Sequence, residues 1–376
     1  MSKILFLTTS HSYNDDRIFY HQAKELKNCG HEVKVCSLYA DFQGDIDGIE
    51  IEAFGILDQS ISEKKRKLRE AGDRFQPDCI ICSEPLAVMA AKKIKKAKKI
   101  SIIYDITEWY PSMRMVERYP SFLKPFHAIK FFLIQLYAGY LSTHFIFGEK
   151  TKRFPLAYVF PFKKNILLTY YPDDRYIATH IKKLESGKIT LCYTGQMSEE
   201  KGIGNFFKAI DQLNKKRPEL QIDILLIGGT RKEKDEKYFQ DQLAEYQFDN
   251  VRIEKPASFE NFTQTYASAD ICFDLRELNY ENDHCLPIKI FYYAASGKPV
   301  IYTDLTATRQ HVDVSKFGFL VNPKDSGSIA DIILNYIDHP ERYDDHAYNA
   351  RMEYEKKYNW NIIRDIFVDF VQKALY

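Results

Sequence analysis

The sequence has little net charge, no long hydrophobic run and no segment of low complexity. Lys and Arg number 53 against 52 Asp and Glu, a net charge of +1 that argues against a nucleic-acid-binding protein. The longest uncharged stretch, 131–148, contains polar residues and divides into a helix-like and a strand-like part, so we expect no transmembrane span. The start of the chain lacks the long apolar core and cleavage site of a signal peptide.

The seven cysteines are odd in number, and most lie in apolar runs. Cys79 and Cys82 form a C-x-x-C, but the two isoleucines between them indicate a strand, on which residues three apart point to opposite faces. That arrangement suits neither a zinc knuckle nor a redox turn, so packing in a core is favoured. Unpaired thiols are typical of a reducing compartment, and we therefore expect a soluble, cytoplasmic protein.

The 376 residues predict two domains of about 150–200 residues each. Short apolar runs alternate with helix-like segments, which is typical of a doubly wound parallel sheet with ligands beyond the carboxyl ends of its strands. Turn residues within 161–174 mark the boundary. The halves differ in charge: 1–170 has 26 basic and 19 acidic residues, whereas 171–376 has 27 and 33. Strands are predicted over 3–9, 77–84, 100–107, 188–195, 222–229 and 270–275, and helices over 17–27 and 87–99.

Three segments of the second half have a pattern typical of anion sites. In 193–203 (YTGQMSEEKGI), a strand ends at Gly195 and Lys201 precedes a helix. This pattern fits a phosphate-binding site and an ordinary turn with a solvated lysine about equally well. Gly228 and Gly229 let a ligand approach the backbone, although a plain turn is favoured and no G-x-G-x-x-G fingerprint is present. In 284–301, Lys289 falls in the first turn of a helix whose aromatic residues are explained by core packing.

Polar residues also follow two strands of the first half, at the edge where an α/β sheet usually has its active site. Asp16 is alternatively the N-cap of the first helix, and Asp15 a solvated turn residue. The candidate residues here are His11, Asp16, Arg17, Asp105, Thr107, Glu108 and Trp109.

Ordered motifs along nearly the whole chain resemble family-4 glycosyltransferases, which are retaining, nucleotide-sugar-dependent enzymes. The motifs are D-R-I-F with G-H-E-V in 16–33, P-D-C-I-I-C-S-E-P at 77–85, Y-Y-P-D at 170–173, Y-T-G with E-K-G-I in 193–203, L-P-I-K-I-F-Y-Y-A-A-S-G-K-P-V-I at 286–301 and Y-N-W-N at 358–361. The resemblance implies the GT-B fold, two Rossmann-like doubly wound domains that face a central cleft. Residues 1–170, with a crossing helix over 358–376, would bind the acceptor, and 171–357 the nucleotide sugar.

The resemblance also implies roles for the candidate residues. Lys201 would stabilise the leaving diphosphate, Glu108 would orient the acceptor, and Asp105 is a third predicted catalytic residue. No metal or other cofactor is implied. The predicted donor site comprises Gly195, Gln196, Lys201, Gly228, Gly229, Leu286, Lys289 and Tyr292, and the predicted acceptor site His11, Asp16, Arg17, Thr107 and Trp109.

The sequence departs from the family pattern at four positions. Where the family often has two donor-site glutamates, this chain has His284 and Tyr292, and Gln196 replaces an arginine. Thr107 replaces a histidine of the acceptor side. A degenerate GT-B scaffold that binds a partner or a nucleotide without turnover is therefore the alternative, and an epimerase or a phosphorylase on the same fold is a second one.

Two basic segments and one aromatic segment of the first half raise a further possibility. Each of 63–70, 92–99 and 121–141 is, taken alone, a solvated face or a buried helix. Together, on the more basic half, they suggest docking on anionic lipid at the inner face of a membrane. The expected partners are a nucleotide sugar, a glycan or lipid-linked acceptor of surface polysaccharide synthesis and this membrane surface, with no nucleic acid.

Overall fold

The computed structural model describes residues 1–95 and 100–376, and the chain divides into two compact units. The N-terminal unit contains Met1–Tyr170 and Ile363–Tyr376, and the C-terminal unit contains Tyr171–Ile362. The chain therefore passes between the units at two points. Within the described ranges, no helix is both long enough and apolar enough to cross a membrane.

The N-terminal unit is built on an eight-stranded sheet, counted over the described residues, in the order β3-β4-β2-β1-β5-β6-β7-β8. Its strands pair in parallel except for the antiparallel hairpin of β3 and β4. The hairpin turns at Asp47 and Gly48, whose φ angles of 55° and 77° are both left-handed, as a tight type I′ turn requires. The strands are β1 (Lys3–Thr8), β2 (Glu32–Ser37), β3 (Asp41–Ile46), β4 (Ile49–Phe54), β5 (Cys79–Cys82), β6 (Ser101–Ile106), β7 (His144–Phe147) and β8 (Asn165–Leu167).

The first helix of this unit begins as a π-helix over Asp16–Ala23 and continues as α1 (Lys24–Asn28). The predicted segment 17–27 is thus helical, but its first part is wound more widely. This winding brings residues five apart together, since His21 Nδ1 lies 2.6 Å from the carbonyl oxygen of Asp16. The other helices are α2 (Ile61–Phe75), α3 (Pro85–Ala91), α4 (Met113–Glu117), α5 (Lys124–Leu141) and α6 (Leu156–Val159), with a 3₁₀ turn over Thr151–Arg153.

The helix predicted over 87–99 is shorter than expected, because α3 ends at Ala91. After it the chain turns so that Ile94 is buried against α2, where a Cβ on Gly72 would overlap the Ile94 side chain. The amide of Lys95 donates to Asp73 Oδ1 (2.8 Å), which fixes this departure from the helix. Residues 96–99 of the predicted basic helix lie outside the described ranges.

The C-terminal unit is built on a six-stranded sheet within the described residues, all parallel, in the order β11-β10-β9-β12-β13-β14. Its strands are β9 (Lys188–Gln196), β10 (Gln221–Gly229), β11 (Val251–Glu254), β12 (Ile271–Asp274), β13 (Val300–Thr303) and β14 (Gly318–Val321). Its helices are α7 (Ile203–Lys216), α8 (Glu233–Tyr246), α9 (Phe262–Thr265), α10 (Tyr280–Asp283), α11 (Lys289–Ala295), α12 (Thr306–His311), α13 (Ser326–Asp338) and α14 (Pro340–Lys357), with 3₁₀ turns at Asp174–Tyr176, Phe259–Asn261 and Val314–Lys316. The last helix, α15 (Trp360–Leu375), runs from this unit into the other.

Each sheet has helices on its faces and a core of aliphatic and aromatic side chains. Strands such as β9 and β12 are buried along nearly their whole length, as parallel strands covered on both faces must be. The predicted architecture of two doubly wound α/β domains is confirmed. Cys79 and Cys82 are buried and unpaired, and burial raises the pKa of the Cys79 thiol to about 12, so core packing explains the C-x-x-C.

Candidate functional site

Both sheets have a point where the strand order reverses direction, and ligands of open α/β sheets bind at such points. In the N-terminal unit the reversal lies between β1 and β5, and in the C-terminal unit between β9 and β12. The candidate residues follow the carboxyl ends of these strands and their neighbours. We describe the two regions separately.

Two glycines open the carboxyl end of the C-terminal sheet. Gly195 and Gly228 are directly paired in the β9–β10 ladder, and their φ angles of 116° and 143° are ones that side chains rarely allow. A Cβ at Gly228 would overlap the carbonyl oxygen of Gly195, and a Cβ at Gly195 would lie 2.7 Å from Lys289 Nζ. The two glycines therefore let backbone and lysine approach one another at this edge.

The loop from β9 to α7 is fixed by hydrogen bonds from one tyrosine. Tyr193 Oη donates to the carbonyl oxygens of Gln196 (2.8 Å) and Lys201 (3.0 Å). Gly202, with a φ of 82°, begins the helix so close to β12 that a Cβ there would overlap the carbonyl oxygen of Leu275. Lys201 is held where the sequence predicted, before α7, and its ammonium group donates to Glu200 (3.0 Å) and Asn282 (3.3 Å).

Three cations surround one carboxylate at the end of β12. Arg276 donates to both oxygens of Asp274, at 2.7 and 2.5 Å, and both side chains are buried. Burial opposes ionisation of Asp274, but Arg276, Lys289 and Lys201 outweigh it and hold the pKa of Asp274 below its usual value. We call Lys201, Arg276, Lys289 and Asp274 the cation cluster.

Lys289 is the lysine of the cation cluster that the structure ties to the end of β9. Its ammonium group donates to the carbonyl oxygen of Thr194, one residue before Gly195. Desolvation, together with the charges of Arg276 and Lys201, lowers the pKa of Lys289 to about 8. The site thus concentrates positive charge in a desolvated place, which is the arrangement an anion requires.

The other residues predicted for this site are placed as follows. The amide of Gln196 donates to Asp235 (2.9 Å) of α8, whereas Gly229 has open space where a Cβ would stand. Leu286 is buried in the core beside α11. Tyr292 lies on α11 with Lys289, and its buried ring packs edge-on against Phe262 at 5.7 Å between centroids.

A histidine between two carboxylates lies at the end of β1 in the N-terminal unit. His11 Nδ1 is 2.9 Å from Asp15 Oδ2, and Nε2 is 3.7 Å from Glu84 Oε1. Burial opposes protonation of His11, but Asp15, Glu84 and Glu108 outweigh it and raise its pKa to about 9. The imidazole is therefore charged at neutral pH, and both ring nitrogens then carry protons.

Glu84 fixes the loop that carries His11, and the sequence analysis assigned it no role. Its carboxylate accepts hydrogen bonds from the backbone amides of Thr9 (2.8 Å) and Ser10 (3.1 Å) and from the hydroxyls of Ser10 (2.6 Å) and Thr8 (3.1 Å). The partners are some 75 residues apart in sequence, so no local pattern points to them. The available signal was its place at the end of a predicted strand, shared with Asp105.

Arg17 and Asp105 form a buried pair beneath this region. Arg17 donates to Asp105 through Nε and Nη2, both at 2.8 Å, and through Nη1 to the carbonyl oxygen of Leu168 (2.8 Å). Gln22 donates to the same carboxylate (2.7 Å), and the Arg17 guanidinium stacks 4.3 Å from the ring centre of Tyr170. Because Asp105 is 1% exposed, the geometry favours a positioning role over the predicted contact with the reacting groups.

The N-cap of the first helix is Asp15 and not Asp16, contrary to the alternative given above. Asp15 Oδ1 accepts from the amides of Arg17 (3.0 Å) and Ile18 (3.1 Å), so it is no solvated turn residue. Asp16 lies at the start of the π-helix, where burial and the charge of Asp15 raise its pKa to about 7.

The three residues after β6 differ in exposure. Thr107 is buried, and its carbonyl oxygen accepts a hydrogen bond from Lys152, which also pairs with Glu149 at 2.6 Å. Glu108 is exposed and contributes to the charge that acts on His11, whereas Trp109 is partly buried. His11 is partly buried and Glu108 is exposed, so both of these predicted polar groups have solvent-accessible surface. Within the described residues, no group of three or more His, Cys, Asp and Glu is arranged to hold a metal ion.

Comparison with known proteins bears on the C-terminal unit first. The family model described as glycosyl transferases group 1 matches residues 188–339, from β9 to the end of α13. This segment is similar to the glycosyl transferases group 1 family, and the match covers less than half of the chain. It contains Gly195, Gly228 and every member of the cation cluster. A search of curated proteins found no match to the chain.

Solved structures establish the fold over the whole length of the chain. A sucrose-phosphate synthase from Thermosynechococcus elongatus matches with a TM-score of 0.77 at 15% identity, over 99% of this chain and 98% of that one. A glycosyltransferase from Rickettsia africae matches with a TM-score of 0.73 at 15% identity, over 100% of this chain and 98% of that one. HepE from Anabaena, solved with UDP-glucose, gives 0.71 at 15% identity, over 99% and 100%. The predicted GT-B fold is confirmed by these similarities.

Proposed function

We propose that the protein transfers a sugar from a nucleoside-diphosphate sugar to an acceptor hydroxyl, with retention of the anomeric configuration. The observation that carries this proposal is the cation cluster at the glycine-lined ends of β9 and β10, inside the segment similar to the glycosyl transferases group 1 family. Its positive charge is suited to a diphosphate. The N-terminus of a helix, such as that of α7, also favours an anion. The HepE structure holds UDP-glucose, which makes this compound the first probe.

In the proposed reaction, the acceptor oxygen attacks the anomeric carbon from the same face that the diphosphate leaves. The bond between that carbon and the diphosphate oxygen breaks with both electrons, and the acceptor proton passes to the leaving diphosphate. Negative charge grows on the diphosphate in the transition state, where Lys201 and Lys289 stabilise it. No protein nucleophile and no metal take part, so turnover in the presence of EDTA should equal turnover without it.

The acceptor site is proposed on the N-terminal unit, at His11 and Glu108. The exposed carboxylate of Glu108 orients the acceptor hydroxyl, and the charged imidazole of His11 donates to an acceptor oxygen. Arg17 and Asp105 hold the end of β6 below them. A glycan or a lipid-linked sugar of surface polysaccharide synthesis, in the cytoplasm, remains the proposed acceptor class.

Binding without turnover is the second candidate function. It is favoured by Tyr292, whose ring packs among aromatic side chains where the resemblance implies a donor-binding glutamate. The hydrogen bond from Gln196 to Asp235 likewise occupies the side chain that stands in place of an arginine. If the chain binds a nucleotide sugar, product formation separates the two candidates. Failure to bind any nucleotide or nucleotide sugar would favour a scaffold that binds a partner.

Calorimetric titration with UDP-glucose and other nucleotide sugars tests the donor site. Lys201→Ala should weaken binding about tenfold or more, since a charge-assisted hydrogen bond to phosphate is lost. Lys215→Ala, which changes an exposed lysine at the far end of the following helix, α7, is the matched control and should bind as the wild type does. Equal affinity of wild type and Lys201→Ala would contradict the donor-site assignment.

Product analysis separates the two candidate functions. Mass spectrometry after incubation of each bound nucleotide sugar with a panel of lipid-linked and glycan acceptors should detect a product one sugar heavier. Nuclear magnetic resonance of the new linkage should show the anomeric configuration of the donor. Tight nucleotide-sugar binding without any product across the panel would favour the binding protein instead.

A further inference from the structure

Helix α5 exposes a stripe of large apolar side chains along one face. Phe126 is 70% exposed and Tyr140 is 69% exposed, although monomeric proteins rarely expose contiguous apolar surface of this extent. The members recur every three or four residues, so they lie on one side of the helix. They are Phe122, immediately before the helix, and Phe126, Ile129, Leu133, Tyr137 and Tyr140 within it.

The opposite face of α5 is the one that packs in the core. Ala138 and Gly139 are buried there, and a Cβ on Gly139 would come within 2.9 Å of the Phe160 ring. The helix is therefore apolar on both sides, but the core covers one of them. A helix with this composition needs an apolar partner for the face that the core leaves uncovered.

The segment that follows β7 adds to the apolar surface at the end of α5. It packs there through Leu156 and Phe160. Lys163 joins the two elements, because its ammonium group donates to the carbonyl oxygens of Gly139 (2.6 Å) and Tyr140 (2.9 Å). This segment exposes four further apolar side chains, Phe154, Tyr158, Val159 and Phe162.

The charge of this region has one sign. Between Arg118 and Asn165 the sequence contains one acidic residue, Glu149, which is buried and pairs with Lys152 at 2.6 Å. Of the other basic residues, Lys130 lines a groove on α5 together with Phe126, Ile129, Leu133 and Tyr137. The remaining ones are Arg118, Lys124, Lys150, Arg153, Lys163 and Lys164.

We propose that this surface, the α5 stripe with the exposed residues of 154–162, docks on the interface of an anionic lipid bilayer. Its aromatic and aliphatic side chains enter the boundary between headgroups and acyl chains, and its lysines and arginines face the lipid phosphates. The segment 63–70, also predicted to take part, lies on α2 and not on α5. Its Arg66 pairs with Glu63 and Glu70, and its five basic and two acidic residues leave a net charge of +3.

A second copy of this chain is a poorer occupant than a bilayer. In a twofold interface the same patch meets itself, so Lys130 and its basic neighbours would face their own copies. No exposed acidic residue between Arg118 and Asn165 would offset that repulsion. An anionic lipid surface instead complements both the charge and the apolar stripe.

Co-sedimentation of the full chain with vesicles tests the proposal, and its readout does not depend on sugar transfer. Binding is expected to vesicles of equal parts phosphatidylglycerol and phosphatidylcholine, and to be much weaker with phosphatidylcholine alone. The double variant Phe126→Ser, Leu133→Ser should lower the partition coefficient by at least about tenfold, since two inserted side chains are lost. Tyr348→Ser, an exposed aromatic of the C-terminal unit, is the matched control and should bind like the wild type.

A charge variant and the oligomeric state complete the test. Lys130→Glu should weaken binding to the anionic vesicles and reduce its salt dependence, while thermal unfolding of each variant matches the wild type because the altered side chains are exposed. Failure of the wild type to bind anionic vesicles at low salt would overturn the proposal. So would a stable dimer in solution that Phe126→Ser converts to monomer without any change in vesicle binding.

Discussion

The two polar regions differ in how their charges are balanced. In the N-terminal unit, each buried cation has its own carboxylates: His11 has Asp15 and Glu84, and Arg17 has Asp105. In the C-terminal unit, Lys201, Lys289 and Arg276 all act on Asp274, and the exposed Glu200 also pairs with Lys201. The cations of the first region thus have separate carboxylates, whereas three cations of the second act on one.

This difference fits the two substrates of the proposed reaction. An acceptor hydroxyl is neutral, so its site needs directed donors and acceptors on a rigid frame. A nucleoside diphosphate is an anion, and its site needs charge that water does not already screen. The comparison predicts that changes in the N-terminal region lower stability, while changes in the cation cluster lower affinity.

The buried pair of the N-terminal unit should give the largest effect. Asp105→Asn leaves the Arg17 guanidinium buried without its counter-charge, and we expect a loss of about 3–5 kcal/mol in the free energy of unfolding, measured by urea denaturation. Arg66→Met, which removes an exposed cation that pairs with Glu63 and Glu70, is the control and should change stability too little to measure. Equal stability of Asp105→Asn and wild type would show that the pair does not hold this region.

The next effect concerns the backbone that places the cation cluster. Gly202→Ala should cost about 3 kcal/mol, because its φ of 82° disfavours a Cβ and the new atom overlaps the Leu275 carbonyl oxygen. Gly187→Ala has a similar φ of 73° but open space around the Cβ, so it should cost only about 1 kcal/mol. The difference between the two losses in the free energy of unfolding, measured by urea denaturation, gives the cost of the overlap alone. A smaller loss for Gly202→Ala than for Gly187→Ala would contradict the close approach of α7 to β12.

A pH dependence of stability should come from His11. Its pKa is raised from 6.5 to about 9 on folding, so its stabilisation is fully present below pH 6.5 and is lost as the pH rises through about 9. The free energy of unfolding of the wild type should exceed that of His11→Gln by about 1–3 kcal/mol at pH 6.5, and this difference should shrink by pH 9.5. Urea denaturation of both proteins across this range measures it. A difference that stays constant with pH would rule out the charged imidazole.

The smallest effect is a pH dependence of donor affinity. Because the pKa of Lys289 is lowered to about 8, its ammonium group loses its proton as the pH rises from 7 to 9, and nucleotide-sugar binding should weaken about tenfold. Lys289→Arg keeps its charge over this range and should bind with little change in affinity. Calorimetry at pH 7, 8 and 9 compares the two proteins. The same pH profile in both would place the titrating group elsewhere.

Most of the fold was predictable because buried parallel strands are continuous apolar runs. The strands β1, β5, β6, β9, β10 and β12 all follow such runs. The hairpin of β3 and β4 was missed, since polar and acidic residues interrupt its apolar ones and one strand lies at the sheet edge. Its Asp47-Gly48 turn was the available signal. The end of α3 was mispredicted because the burial of Ile94 against Gly72, a tertiary contact, outweighs the helical propensity of the lysines.

The candidate sites were predictable as far as local patterns reach. Lys201 and Gly195 share one strand–turn–helix segment, so their proximity follows from sequence spacing. The pairing of Asp274 with Arg276 and the role of Glu84 were not predicted, because hydrogen bonds between distant segments and burial decide them. Whether Asp15 or Asp16 caps the first helix depends on where the π-helix begins, and a sequence pattern does not resolve one residue.

The course of helix α15 between the two units allows the chain to be circularly permuted. Its last residues belong to the N-terminal unit, where the Ser101 hydroxyl donates to the carbonyl oxygen of Ala374. Ser101 and Ile4 both pair with Cys79, so Ser101, which Ala374 contacts, lies about 10 Å, two strand spacings, from Ile4 of β1. A short linker from Tyr376 to Met1 and a new start at Ile363 would therefore make each unit one uninterrupted segment. Such a circular permutant would let either unit be expressed and studied alone.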